Sequence, residues 1–294
     1  MPSIISSLSY QYKVFTNAKT DLKKQLSARN HGVAKDMVPP SILEKRYSVE
    51  ASAKNGRPVY YLDFEQASEK PCILYFHGGA FLTGLSKKHW RFVRRLLFGT
   101  GCPVVVPDYP LIPEYTHRAI LSFCMEIYLE LLSKSPHGVI LIGDSAGANL
   151  AMAVAQQAVQ RDIPIPNRLL LLSPCLDLSG DNPIKNVLAY RDPVLEPDSC
   201  REVALLYAGS RSLSDPLISP VFGSMKGLPK VTVWTGDNDI LYADSLLLKE
   251  ALRKAHTPYH IYTYPDMVHD WMFERIPEGR KALRQIVMTI REYL

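Results

Sequence analysis

The sequence lacks long hydrophobic runs. None of its 294 residues falls in an apolar run of about 18, the length that a membrane-spanning helix needs. Residues 1–10 also lack the basic start, apolar core and small-residue cleavage site of a secretory signal. We therefore expect a cytoplasmic protein without stable membrane association.

Cysteine is scarce, and its spacing excludes the common cysteine frameworks. Five cysteines are an odd number, widely spaced, and none forms a C-x-x-C or zinc-type pattern. We expect buried, reduced thiols, and the chemistry inferred below needs neither a metal nor a cofactor. The five are Cys72, Cys102, Cys124, Cys175 and Cys200.

The net charge of +5 is not organised as a nucleic-acid interface. The densest basic stretch lies on one predicted helix, where a solvated face explains it, and no aromatic-interleaved or helix-turn-helix motif accompanies it. We therefore predict no nucleic-acid partner. The stretch contains Lys87, Lys88, Arg91, Arg94 and Arg95.

Short apolar runs alternate with longer helical patterns, which predicts an α/β fold with a mostly parallel central sheet flanked by helices. The 47% hydrophobic content suffices for a large core. Parallel strands are expected at Cys72–Phe76, Val104–Val106, Val139–Ile142, Leu169–Leu172, Val231–Trp234 and Ile261–Tyr264, after an antiparallel edge pair at Lys45–Glu50 and Val59–Asp63. Helices are expected at Trp90–Phe98, His117–Ser133, Ala146–Arg161, Ala243–His256 and Glu278–Tyr293.

Two segments fall outside this alternation, residues 1–40 and about 179–214. We interpret both as parts of a helical cap on a main domain that spans residues 41–294. In the N-terminal segment Leu8, Tyr12, Phe15 and Leu22 have helical spacing, so we expect this apolar face to pack on the cap helices.

Gly143-Asp144-Ser145-Ala146-Gly147 joins a predicted strand to a predicted helix, the context of a nucleophile elbow. A sharp turn of this kind forces its central residue into strained backbone angles, and glycines on either side avoid a collision with the neighbouring strand and helix. Ser145 is therefore the candidate nucleophile.

A second glycine motif, His77-Gly78-Gly79, follows the strand at Cys72–Phe76. Attack on an ester places negative charge on the carbonyl oxygen, and fixed backbone N–H groups must already point there. We assign the oxyanion hole to Gly78, Gly79 and Ala146, the last being the residue after the nucleophile. A histidine beside such a loop is expected to prop it rather than act as a base.

A serine hydroxyl needs a base, and the base needs a carboxylate that orients it, in the chain order serine, acid, histidine. His269 follows the strand that ends at Tyr264, so it is the candidate base, expected to lose its proton near about 6.5. Asp237, Asp239 and Asp244 follow the preceding strand.

The remaining acidic and histidine residues fit structural roles. Asp244 is expected to cap the helix that follows it, and Asp270 adjoins His269 in a direction unsuited to orienting it. Spacing does not separate Asp237 from Asp239. His260 begins a strand at the opposite sheet edge, and the other histidines are expected on surface helices or turns, namely His31, His89, His117, His137 and His256.

These motifs together resemble the hormone-sensitive-lipase-like branch of the α/β-hydrolase carboxylesterases, over about residues 70–275. The resemblance also includes Asp108-Tyr109-Pro110-Leu111-Ile112-Pro113-Glu114, Ser173-Pro174-Cys175-Leu176-Asp177, Asp215-Pro216-Leu217-Ile218-Ser219-Pro220 and Leu228-Pro229. Pro110 stands where the family usually has arginine, and His269-Asp270-Trp271 departs from the commoner His-x-Phe. The family pattern Asp-x-Leu-x-x-Asp, whose first aspartate is catalytic, falls on Asp239.

The resemblance implies an α/β-hydrolase fold and a cofactor-independent serine carboxylesterase that acts on small esters with short to medium acyl chains. An amidase or a deacetylase of a specialised metabolite would use the same residues. A non-catalytic receptor on this scaffold is the third alternative, although such relatives tend to lose a triad member. The family also contains homodimers built on the last strand and helix.

Overall fold

The computed structural model describes residues 2–28 and 38–294. Part of the predicted N-terminal cap segment, including His31, lies outside these residues. Among the helices that are described, none combines the length and apolar character that crossing a bilayer requires.

Within the described residues, eight strands form one sheet in the order β1-β2-β4-β3-β5-β6-β7-β8. The β1–β2 and β2–β4 pairs are antiparallel, and every other pair is parallel. The mostly parallel α/β sheet predicted from the sequence is confirmed. The strands are β1 (Val49–Lys54), β2 (Arg57–Leu62), β3 (Cys72–Phe76), β4 (Val104–Pro107), β5 (Val139–Asp144), β6 (Arg168–Leu172), β7 (Val231–Gly236) and β8 (Tyr259–Tyr264).

Helices cover both faces of this sheet. In the described part of the chain they are α1 (Ile4–Phe15), α2 (Thr20–Ala28), α3 (Ser41–Glu44), α4 (Lys87–Thr100), α5 (His117–Lys134), α6 (Ala146–Gln160), α7 (Pro183–Leu188), α8 (Pro197–Ala208), α9 (Tyr242–Lys254) and α10 (Pro277–Arg291). The five predicted helices correspond to α4, α5, α6, α9 and α10, with ends shifted by a few residues.

The pattern of β5 explains why the sheet needs cover on both sides. Successive strand side chains point to opposite faces. Val139 and Leu141 accordingly join the core that contains α5 and α6, while Ile140 and Ile142 join the core that contains α4 and α10. Because both faces are apolar, the strand is buried throughout, as is typical of parallel sheets.

The first edge strand was predicted too early in the chain. A two-residue turn at Asn55-Gly56 fixes the β1–β2 hairpin, with φ of 49° and 74° at the two positions. Such a turn places a strand directly on each side of itself, so Lys54 pairs with Arg57 and β1 runs over Val49–Lys54 instead of Lys45–Glu50.

The N-terminal helix α1 does not bury the face that its sequence suggested. Leu8, Tyr12 and Phe15 are 64%, 69% and 89% exposed, and of the four predicted residues only Leu22, in α2, packs against the core. Polar contacts hold α1 instead, because the Ser3 hydroxyl donates to Glu278 of α10 at 2.9 Å and the Ser9 hydroxyl donates to Glu274 at 2.5 Å. The predicted apolar packing of Leu8, Tyr12 and Phe15 is therefore wrong.

Candidate active site

The elbow at the end of β5 carries Ser145 in a strained conformation. Its φ of 52° and ψ of −117° lie where residues with a side chain are rarely found. A Cβ on Gly143 would approach the Gly147 carbonyl oxygen to 2.2 Å, and a Cβ on Gly147 would approach the Phe76 carbonyl oxygen to 2.0 Å. The turn therefore closes only with glycine at both positions, which is the reason inferred from the sequence.

Ser145, His269 and Asp239 form one hydrogen-bond chain. The Ser145 hydroxyl lies 2.9 Å from Nε2 of His269, and Nδ1 of the same imidazole lies 2.8 Å from Oδ2 of Asp239. The other Asp239 oxygen accepts the backbone N–H of Leu241 at 2.9 Å, which fixes the carboxylate. Asp239 is fully buried, whereas Ser145 and His269 each keep 8% exposure.

We name residues 237–241, between β7 and α9, the acid loop. The other two candidate aspartates, Asp237 in this loop and Asp244 in α9, have different partners. Asp237 accepts the backbone N–H of Asp266 at 2.6 Å, at an exposed position. Asp244 is fully buried, lies 2.7 Å from the Lys185 ammonium group, and accepts the backbone N–H of Asp177 at 2.9 Å. The predicted helix-capping role of Asp244 is wrong, because α9 begins at Tyr242, two residues earlier.

Asp192 supports the acid loop from a distant part of the chain. One of its oxygens accepts the backbone N–H of Ile240 at 2.8 Å, and the other accepts that of Val194 at 2.7 Å. Burial, followed by the charge of Asp239, raises the pKa of Asp192 to about 6. The sequence analysis missed this residue. An aspartate followed by proline in a loop is a turn signal, which accounts for the bond to Val194 but not for the bond to Ile240.

His269 is surrounded by carboxylates. Burial of the imidazole opposes its protonation, but the charges of Asp239, Asp270 and Asp192 outweigh that effect and raise the pKa of His269 to about 9. Asp270 Oδ2 lies 3.7 Å from Nε2 and 3.5 Å from the Lys88 ammonium group. The surrounding carboxylates therefore shift the pKa of His269 upward from the 6.5 expected from the sequence.

His77 holds the glycine loop from below, as expected. Its Nδ1 donates to the Gly78 carbonyl oxygen at 2.7 Å, and the Tyr109 hydroxyl donates to the His77 carbonyl oxygen at 2.5 Å. The ring stacks on Tyr109, with centroids 4.3 Å apart. Burial lowers the pKa of His77 to about 4, so a neutral imidazole props the loop.

The residues of the glycine loop differ in what they face. Gly78 is buried against Asp144, and a Cβ on Gly78 would lie 2.3 Å from Asp144 Oδ2. Burial raises the pKa of Asp144 to about 7, and the backbone of Gly78 is among the groups that lower it. Gly79 and Ala80 are partly exposed, and Ala80 lines the same cavity as Ser145 and Ala146.

Two of the histidines expected on the surface are buried beside these groups. His89 is stacked on His77 with centroids 5.6 Å apart, and its Nε2 lies 3.7 Å from Asp144 Oδ2. His117, at the start of α5, lies edge-on to Tyr207 of α8. The surface assignment is wrong for both, while His137, His256 and His260 are exposed.

A cavity of about 170 Å³ opens over Ser145. Its walls are mainly apolar and come from α2 (Leu22), the glycine loop (Phe81) and the insertion between β6 and β7 (Leu178, Val203). Phe81 is stacked on Tyr207 of α8, with centroids 3.8 Å apart, which ties the insertion to the loop. The insertion therefore supplies part of the wall beside Ser145.

A Ser–His–Asp chain at the carboxyl ends of a mostly parallel sheet, with the serine on a strained strand-to-helix turn, defines an α/β hydrolase. A family model described as the alpha/beta hydrolase fold matches residues 73–273. The chain belongs to this family, in its hormone-sensitive-lipase-like branch of esterases and lipases.

Individual relatives agree with that placement. An acetyl-hydrolase of Streptomyces hygroscopicus is 31% identical over 72% of each chain. The esterase LipU of Mycobacterium tuberculosis is 32% identical over 75% of this chain and 77% of its own. Among solved structures, the HSL-homolog EstE7 from a metagenome library is 26% identical with a TM-score of 0.83, covering 100% of this chain and 99% of its own.

Proposed function

We propose that the protein is a serine carboxylesterase that hydrolyses small esters with short to medium acyl chains. The observation that carries the proposal is the hydrogen-bond chain from Ser145 through His269 to Asp239, at 2.9 Å and 2.8 Å. This arrangement provides a nucleophile, a general base and a carboxylate that fixes the tautomer of the base.

In the acylation step the Ser145 hydroxyl oxygen attacks the ester carbonyl carbon, and its proton moves to Nε2 of His269. The bond between the carbonyl carbon and the alcohol oxygen then breaks, and the alcohol leaves with the proton that Nε2 returns. Water attacks the acyl-enzyme, gives a proton to Nε2, and the acid departs as Ser145 regains that proton. Asp239 accepts the hydrogen bond of the Nδ1–H group, so the proton stays on Nδ1, and its negative charge stabilises the imidazolium whenever it forms.

For the oxyanion hole we propose the backbone N–H groups of Gly79, Ala80 and Ala146. In this set Ala80 takes the place of Gly78, which we had assigned from the sequence. The buried position of Gly78 against Asp144 and the place of Ala80 and Ala146 in the wall of the Ser145 cavity support the replacement. Each donor contributes about 10²–10³ in turnover in comparable sites.

We further propose that residues 1–40 and about 179–214 form the cap and set the acyl preference. The contribution of Leu22, Leu195 and Val203 to the cavity supports this division. The name of the Streptomyces relative, an acetyl-hydrolase, supports the short end of the chain-length range.

A cytoplasmic location and a homodimer stay predictions. The five cysteines are unpaired, which supports a reducing compartment. Self-association through β8, an edge strand of the sheet, is measurable by sedimentation at several protein concentrations.

The test of the proposed function is turnover of nitrophenyl esters from acetate to dodecanoate, with nitroacetanilide as the matched amide. We expect kcat/KM to peak among the short and medium esters, with the anilide far slower, and Ser145→Ala to remove the activity. Faster hydrolysis of the anilide would favour an amidase. No turnover of any substrate above that of Ser145→Ala would favour a receptor.

A further inference from the structure

His269 also forms part of a second cavity, separate from the one that contains Ser145. This cleft has a volume of about 380 Å³, and α1, α4 and the segment after His269 contribute to its walls. We name this cavity the cationic cleft because its charged side chains are predominantly basic. The cations are Lys13, Lys88, Arg91 and Arg275, and the carboxylates are Asp270 and Glu274.

Two of the four cations are already paired. Lys13 forms an ion pair with Glu274, and Lys88 lies 3.5 Å from Asp270. Across residues 2–28 and 38–294, neither Arg91 nor Arg275 has a carboxylate within ion-pairing distance, and both are exposed. The cleft therefore holds two unpaired guanidinium groups, which come from two different elements of the fold.

The position of His269 relates this charge to the reaction. In the proposed mechanism Nε2 takes the serine proton at 2.9 Å and later passes it to the alcohol oxygen of the ester. An alcohol oxygen that receives this proton lies beside His269, which also lines the cationic cleft. The apolar cavity over Ser145 is then left for the acyl part.

We propose that the cationic cleft binds an anionic group, such as a carboxylate, on the alcohol part of the ester, with Arg91 and Arg275 as its partners. The inference rests on the proposed esterase function and narrows its substrate class. Guanidinium groups suit carboxylates because their donors match both oxygens. A cleft lined by one sign of charge also raises the local concentration of oppositely charged substrates.

The test compares two acetate esters of equal shape, 4-acetoxybenzoate and the neutral 4-acetoxybenzamide. The preference for the anionic ester is its kcat/KM divided by that of the neutral ester. Comparing this preference between the wild type and a variant cancels the difference in intrinsic reactivity of the two esters. In the double variant Arg91→Gln/Arg275→Gln we expect the preference for the anionic ester to fall by about tenfold or more. In the wild type the preference should also fall as ionic strength rises.

Arg95→Gln is the matched control, since it removes one exposed arginine from the same helix without touching the cleft. It should leave the preference unchanged. A preference that does not change in the double variant, or that changes equally in Arg95→Gln, overturns the proposal. If the wild type hydrolyses neither ester above the level of Ser145→Ala, the proposed esterase function itself fails. That result is distinct from the two outcomes that overturn only the cleft proposal.

Discussion

Oδ2 of Asp270 lies 3.7 Å from Nε2 of His269, the nitrogen that faces the Ser145 hydroxyl. Asp239 lies 2.8 Å from the other ring nitrogen, so carboxylates stand beside both nitrogens of one imidazole. Asp270 is 8% exposed, and its nearest cation is Lys88, at 3.5 Å. Asp270 and Lys88 therefore place opposite charges on the Nε2 side of the imidazole, and their balance adds to the larger effect of Asp239.

The pH dependence of kcat/KM should report this balance. The base must be neutral to accept a proton, and with its pKa at about 9 the neutral fraction, and hence kcat/KM, should rise with pH up to that region. Asp270→Asn removes a charge that favours imidazolium, so the acid limb should move to lower pH by about one unit. Lys88→Gln removes the opposing charge and should move it to higher pH.

Measuring kcat/KM against pH for the wild type and both variants checks this prediction. Opposite displacements distinguish an electrostatic role from a loss of structure, which would lower the profile without displacing it. If the acid limbs of the three pH profiles coincide, or if both variants move the limb in the same direction, Asp270 and Lys88 do not set the charge at Nε2.

Ser145→Ala and His269→Ala should each lower kcat by about 10⁴–10⁶, because the members of such a chain act as a unit. The double variant should lose little more than either single variant. Circular dichroism should show folded proteins in every case. If the loss of kcat in the double variant equalled the product of the two single losses, Ser145 and His269 would not act as a unit.

The choice between two neighbouring aspartates gives a sharper test. Asp239→Asn should lower kcat by about 10⁴, because an amide favours the wrong imidazole tautomer. Asp237→Asn keeps an oxygen that can accept the Asp266 backbone N–H at an exposed site, so this variant should stay close to the wild type. Steady-state kinetics of the two variants decide the matter, and the reverse order would reject Asp239 as the acid.

The buried pair of Asp244 and Lys185 should contribute to stability. Their charged atoms are 2.7 Å apart, and both side chains are at most 10% exposed. Asp244→Asn leaves the ammonium group buried without a counter-charge, so the free energy of unfolding should fall by about 3–5 kcal/mol in urea denaturation. Glu250→Gln, in an exposed pair with Arg253, is the control and should change stability little. Equal losses in the two variants would contradict the prediction.

What the sequence predicted well was determined by local chemistry. The elbow at Ser145 needs glycines within two residues, and the glycine loop after His77 follows directly from its strand. The parallel strands follow from short apolar runs. The chain order of serine, acid and histidine pointed to His269, and the family pattern pointed to Asp239; both side chains lie in one hydrogen-bond chain with Ser145, and their catalytic roles are proposals.

What the sequence did not predict depends on contacts between distant segments. Asp192 reaches the acid loop across 48 positions of the chain, and Asp244 is paired with Lys185 rather than with its own helix terminus. His89 has helical spacing with Val93 and Leu96 on the buried face of α4, so periodicity predicts its burial, but periodicity does not predict its contacts with His77 and Asp144. The exchange of Gly78 for Ala80 that we propose in the oxyanion hole has the same basis, because it rests on the surroundings of the two residues.

The most direct test of the central claim is the covalent state of Ser145. The protein is treated with diethyl nitrophenyl phosphate, and the modified peptide is identified by mass spectrometry, with Ser145→Ala treated in parallel. We predict one diethylphosphoryl group per chain, located on Ser145, with loss of esterase activity in proportion to labelling and no label in the variant. A label on another residue that accompanies the loss of activity, or full labelling with activity intact, would contradict it.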